Sequence, residues 1–189
     1  RTAVNAMVAA VTDELGSIDL LVNNAGMLSD GDFNQLTPED WDRIIAVNLT
    51  GSFNVIWAVK DGMIEQQFGR IVNVASIAGL AARPNQLPYG VSKAGVISLT
   101  KSCCEPFAQH NIRINCVAPG AIATDMLNEI SSTRLEHMRS TTPLGRVGEP
   151  EEMADVIAFL LSEEASFMTG STVVASGGRV LHIRPTCRL

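Results

Sequence analysis

The sequence lacks a long apolar run. Its longest uncharged apolar stretch, Ile71 to Ala82, is interrupted by Asn73 and Ser76, and is too short and too polar to span a bilayer. A polybasic run is missing as well. With 14 Lys and Arg against 20 Asp and Glu, the net charge is -6, which leaves no electrostatic case for nucleic acid or an anionic membrane as partner. Cysteine is scarce: Cys103, Cys104, Cys116 and Cys187 make no Cys-x-x-Cys pair and have no histidine at metal-ligand spacing. That argues against a zinc site and for buried thiols in a reducing, cytoplasmic setting. An initiating methionine is absent too. Arg1 leads directly into a helical pattern, so the N-terminus is expected to be truncated or processed, with any targeting signal there lost.

What is present is a rhythm. Val4, Met7, Val8, Val11 and Leu15 recur at helical spacing before Gly16, and a strand-like run, Ile18 to Val22, follows. Thr37-Pro38-Glu39-Asp40 reads as a helix start: a hydroxyl cap, a proline in the first turn, and acids at the positive end of the dipole. The helix it opens places Trp41, Ile44, Ile45, Leu49, Phe53 and Ile56 on one side. Further strands are expected at Arg70–Ala75, Ile112–Val117 and Ser171–Ala175, with helices from about Tyr89 to Gln109 and after Glu149-Pro150. Pro106 should kink the first of these locally. Strands alternating with helices imply an α/β chain, a parallel sheet covered on both faces. At 189 residues it fits one domain over 1–178 with a tail over 179–189. The connection Ala123 to Val147 is longer and more polar than the others, as substrate-binding loops often are.

Ligands of such sheets bind at the carboxyl ends of the strands. The turn Asn23-Asn24-Ala25-Gly26, Ser76 and Pro119-Gly120 stand at those ends. Tyr89, the single tyrosine, and Lys93 are four residues apart and share a helix face. An ammonium beside a phenol lowers its pKa towards neutrality, which suits proton transfer to an oxygen. Asn48 lies on the apolar side of its helix, either as an amide satisfying a helix break or as one holding a catalytic water.

In order and interval, Asn23-Asn24-Ala25-Gly26, Asn48, Ser76, Tyr89-Gly90-Val91-Ser92-Lys93 and Pro119-Gly120 with Thr124 resemble the short-chain dehydrogenase/reductase family. The stretch from Asn111 to Gly120 is similar to its 3-oxoacyl-carrier-protein reductase type. The resemblance implies a Rossmann-like doubly wound sheet and hydride transfer between NAD or NADP, with NADPH favoured, and a small carbonyl/alcohol substrate. It implies that Tyr89 is the acid, Ser76 polarises the carbonyl, Lys93 holds the ribose and lowers the tyrosine pKa, and Asn48 anchors a water. It further implies that Asn23, Ala25, Gly26, Asn48, Tyr89, Lys93, Pro119, Gly120, Ile122 and Thr124 line the cofactor. A homodimer or homotetramer is expected through the helices around Ser52–Gln67 and Tyr89–Gln109.

One departure stands out. The family's glycine-rich phosphate-binding turn and its first strands do not occur; Gly145-Arg146-Val147-Gly148 has neither the strand nor the three glycines. The run Ile18 to Val22 should therefore form an exposed edge. The alternative reading is a non-catalytic fragment or partner subunit. The end, Cys187-Arg188-Leu189, also looks like a loose variant of the peroxisomal address.

Overall fold

A computed structural model describes residues 1–28, 33–81, 84–124 and 131–179. The motif Cys187-Arg188-Leu189, most of the expected tail and part of the long connection lie outside the described residues.

Four parallel strands form one sheet in the order β1-β2-β3-β4: β1 Leu20–Asn23, β2 Gly69–Val74, β3 Ile112–Pro119 and β4 Thr172–Ala175. All four expected strands are present, with ends shifted by one or two residues. Seven helical stretches matter here: α1 Thr2–Leu15, α2 Pro38–Ile45, a π turn Ala46–Thr50, α3 Gly51–Glu65, α4 Leu87–Ala108, α5 Ser132–Ser140 and α6 Pro150–Leu161. Helix α4 continues through Pro106 to Ala108. It needs no rupture there, because only one ladder bond is lost near its end.

Alternation along β2 and β3 assigns the two faces. Ile71, Ile112 and Ile114 point towards α3 and α4, where Ile56, Val59, Met63, Cys103 and Phe107 complete the core. Val72 and Val117 point the other way, onto α6, against Leu160, Met153 and Ile157. The helices joining β1 to β2 and β2 to β3 share one face, whereas α6, joining β3 to β4, lies on the other. Each step across the sheet runs in the same direction, so this last crossover has the opposite hand to the first two.

Helix α2 begins as its sequence dictates. Thr37 Oγ1 accepts the Asp40 N–H at 3.1 Å, and the Asp40 carboxylate accepts the Thr37 N–H at 3.4 Å, a reciprocal capping box. The expected single helix from Thr37 through Ile56 is corrected in one respect. Between Ala46 and Thr50 it widens into a π turn, in which the Gly51 N–H reaches back five residues to Ala46 O. Ile44 and Ile56 are both fully buried on either side of it, so the turn lets both ends of the helix reach the core.

The apolar stripe of α1 is only partly used: Val8 packs on the core while Met7, Val11 and Leu15 are exposed. Strand β1 pairs only with β2 among the described residues, leaving Leu20 and Val22 exposed at the expected edge.

Two charged side chains sit in the sheet, unforeseen from sequence. Arg70 and Arg113, cross-strand partners facing α6, are buried. Arg113 donates to Leu160 O at 2.9 Å and Ser162 O at 2.6 Å, tying down the carbonyls at the α6 terminus. Arg70 donates to Gly69 O and Asn111 O, each at 2.9 Å, and to Glu163 at 2.9 Å.

Candidate active site

The carboxyl ends of β1, β2 and β3 open into one cleft of about 960 Å³, of the size that holds a small ligand. Its lining includes Asn24 and Gly26 after β1, Ser76 after β2, Pro119 at the end of β3 with Gly120, Ile122 and Thr124 after it, and Tyr89 and Lys93 from α4. Residues far apart in sequence thus meet at the rim, as the strand-end reasoning requires.

Gly120 is there because nothing larger fits: a Cβ would lie 2.8 Å from Ser176 Cα. The chain therefore turns tightly between β3 and the end of β4.

Lys93 is buried, and its Nζ donates to Val74 O at 2.8 Å. Burial pushes its pKa from 10.5 to about 8, against a small opposing influence of Cys116. The Cys116 thiol is itself pushed up by burial to about 11, so it is protonated and unreactive near neutrality, as expected of a packed thiol.

Lys93 Nζ lies 5.7 Å from the centre of the Tyr89 ring. Burial raises the Tyr89 pKa above its ordinary 10, and a hydrogen bond with Ser76 draws it part of the way back. At neutral pH the phenol keeps its proton. Ser76 is held by its own turn, its Oγ accepting the Ala78 N–H at 3.1 Å.

Asn48 stands in the π turn and is fully buried. Its Oδ1 accepts the Met27 N–H at 2.8 Å, while Nδ2 donates to Met27 O at 3.0 Å and Ser92 Oγ at 3.0 Å. These bonds fasten the turn after β1 to helix α4. Bulges of this kind recur at functional sites, and this one presents a side chain that an unbroken helix would turn elsewhere.

Asn23, expected to line the cofactor, points into the interior. Its Nδ2 donates to Asn73 Oδ1 at 2.8 Å, and Asn73 donates to Thr100 at 2.9 Å. The neighbouring Asn24 lines the cleft instead. Ala25 is exposed on the same turn.

Sequence reasoning missed further lining residues. Arg134, His137 and Met138 reach the cleft from α5, at the spacing that puts them on one helix face. That spacing was legible. Arg179, beyond β4, joins them with no sequence signal of its own.

The residues present fit the nicotinamide–ribose end of a dinucleotide. A Cβ on Gly26 would lie 3.3 Å from Lys93 Nζ and 3.4 Å from Asn48 Oδ1, so the glycine keeps open a recess above the ammonium. Val74 takes one of the three ammonium donors. Among the described residues no cluster suited to a metal ion occurs, and no helix is long and apolar enough to cross a membrane.

Comparison with known proteins agrees with this geometry. A family model described as enoyl-(acyl carrier protein) reductase matches residues 1–179. The chain is 45% identical to a 3-oxoacyl-acyl-carrier-protein reductase of Thermotoga maritima, covering 96% of this chain and 74% of that protein. It is 43% identical to an acetoacetyl-CoA reductase of Shinella zoogloeoides, over 91% of this chain and 72% of the other. The crystal structure of a gluconate 5-dehydrogenase from Burkholderia cenocepacia, in complex with NADP and tartrate, superposes with a TM-score of 0.92 at 33% identity, covering 96% of this chain and 72% of that one. These likenesses to enzymes do not favour the reading as a non-catalytic partner. The chain belongs to the short-chain dehydrogenase/reductase family of NAD(P)-dependent oxidoreductases, and within it resembles 3-oxoacyl-carrier-protein reductase.

Proposed function

We propose that this protein reduces the ketone of a 3-oxoacyl thioester or a related small carbonyl compound, with NADPH as the favoured cofactor. The observation that carries the proposal is the convergence of Tyr89, Ser76 and Lys93 on one cleft at the strand ends. A reduced nicotinamide, when bound, would supply hydride for the carbonyl carbon. Tyr89, a phenol that is protonated at neutral pH and whose pKa burial raises further, gives its proton to the carbonyl oxygen. Ser76 donates a hydrogen bond to that same oxygen, stabilising the charge that develops there. Lys93 would hold the ribose hydroxyls with the ammonium donors that Val74 does not take. Gly26, Pro119, Gly120, Ile122 and Thr124 would surround the nicotinamide end. Asn48 is a positioning residue, acting through Met27 and Ser92.

The same reading takes residues 1–178 as one Rossmann-type domain with 179–189 as a tail, working in the cytoplasm. It takes the protein as a homodimer or homotetramer; exposed Trp57 on α3 and Val91 on α4 support an interface there.

Replacing Tyr89 with Phe tests the proposal. Turnover of acetoacetyl-CoA, followed by NADPH absorbance, should fall by about 100-fold or more, with unchanged circular dichroism. Near-normal turnover would remove Tyr89 from the acid role and overturn the reading.

A further inference from the structure

Gly145-Arg146-Val147-Gly148 makes no phosphate-binding turn, yet its surroundings are closely organised. The long connection that leaves β3 returns here, and its two ends are joined. The Ala123 N–H donates to Gly148 O at 2.8 Å, and the Gly148 N–H donates to Ala121 O at 2.9 Å. Ile122 and Gly148 thus form a one-residue parallel bridge, a neck at the base of the connection. Ile122 and Thr124 line the cleft beside this neck, and α6, starting at Pro150, adds Pro150 and Met153.

The neck is also locked by charge. Arg146 donates from Nη1 to Glu152 Oε2 and from Nη2 to Glu152 Oε1, both at 2.7 Å, the paired geometry that a guanidinium and a carboxylate share. Glu152 Oε2 accepts the Glu149 N–H at 2.8 Å as well. One carboxylate therefore ties the chain on both sides of Gly148 to the first turn of α6. The Arg146 bonds, helped by the Glu149 N–H, hold the Glu152 carboxyl down at about 2, so it is charged at neutral pH.

Gly148 shows what this lock presses on. A Cβ there would lie 2.8 Å from Ile122 Cδ1 and 3.5 Å from Glu152 Oε2. The Gly148 backbone is thus in close reach of both the carboxylate and a side chain that lines the cleft, and a shift of the neck carries Ile122 with it. Arg146 and Glu152 are each about half exposed, and an exposed ion pair contributes little to stability. A pair worth little to the fold can still fix a position. We propose that Arg146 and Glu152 are positioning residues, whose paired bonds fix the neck so that Ile122 keeps its place at the nicotinamide end of the cleft. The inference rests on the reading of the cleft as a nicotinamide-dependent reductase site.

The test uses the full chain. Arg146→Met removes the paired bonds, and Arg146→Lys keeps the charge without the fork. In the cofactor-free protein, the Ala123 and Gly148 amides should exchange hydrogen about threefold faster or more in Arg146→Met, with the core amides of β2 and β3 unchanged. The kcat for acetoacetyl-CoA at saturating NADPH should fall by about tenfold, and Arg146→Lys should recover part of the loss. The melting temperature should move by less than about 4 °C. Ile122→Ala supplies the deciding comparison. In that background Arg146→Met should lower kcat by about twofold at most, because the side chain it acts through is gone. Amide exchange equal to the wild type, an unchanged kcat, or full additivity of the two substitutions overturns the inference. Near-normal turnover by Tyr89→Phe overturns the reductase reading instead, and leaves the exchange result standing.

Discussion

Replacing Lys93 with Met should stabilise the folded protein while destroying its activity. At about 1.4 kcal/mol per pKa unit, a fall from 10.5 to about 8 means that folding disfavours the Lys93 ammonium by about 3 kcal/mol. Below pH 8 the lysine is charged both folded and unfolded, so the folded state bears the whole cost. Between about pH 8 and 10.5 the unfolded chain still holds the proton and the folded one releases it. Stability contributed at this position therefore rises with pH across that window, and the cost is gone above it. Methionine has a similar length and no charge to desolvate. It leaves Val74 O without its 2.8 Å donor, a loss of about 1 kcal/mol. The variant should thus gain about 2 kcal/mol at pH 7. The gain should vanish, or reverse slightly, near pH 10.5. Urea unfolding midpoints of both proteins at pH 7, 9 and 10.5 measure the difference directly, and groups that titrate alike in the two cancel. A variant less stable at pH 7, or a difference that does not change with pH, would refute the assignment of a buried charge. Stability held back at a site in exchange for function is a familiar pattern.

Other consequences are open to simpler experiments. Asn48→Leu should cost about 2–4 kcal/mol by thermal or urea unfolding, since it orphans Met27 N–H, Met27 O and Ser92 at once; it should also weaken cofactor binding by loosening the turn after β1. Gly120→Ala forces a methyl to 2.8 Å from backbone at Ser176 and should destabilise by about 1–3 kcal/mol. Because burial raises the Tyr89 pKa, reduction should gain nothing as pH rises above 7, while oxidation of the alcohol, which needs the phenolate, should climb. An oxidation rate already level at pH 7 would contradict this.

How much of the protein could be read in its sequence depends on whether one residue or a pair carries the signal. The strands were legible because β2 and β3 are buried on both faces and their apolar runs are bounded by turns. The catalytic candidates were legible through the order and intervals of Asn48, Ser76, Tyr89 and Lys93, which resemble the family's, since a Tyr-x-x-x-Lys spacing alone is common on helices. The π turn was not, because Leu49, Phe53 and Ile56 keep an apolar spacing that an unbroken helix would satisfy as well. Arg70 and Arg113 were not, because a charge in a strand is tolerable only through distant carbonyls such as Leu160 O and Ser162 O. Asn23 and Asn24 illustrate the limit most clearly. Two identical neighbours take opposite faces of the chain, one into the core and one into the cleft, and only the register of β1 decides which.

The π turn also makes a length meaningful. An extra residue within one helical turn leaves everything after it rotated by about 100° relative to an unbroken helix. Deleting any one residue between Ala46 and Thr50 would barely change the composition or the helical propensity, and would even restore ideal hydrogen bonding. It would also swing Ile56 out of the core, or Ile44 in its place, and turn position 48 away from Met27. The count of residues from Thr37 to Phe53 thus works as a phase setting. The loss of a single side chain would separate the two halves of the helix from the parts of the protein each one serves.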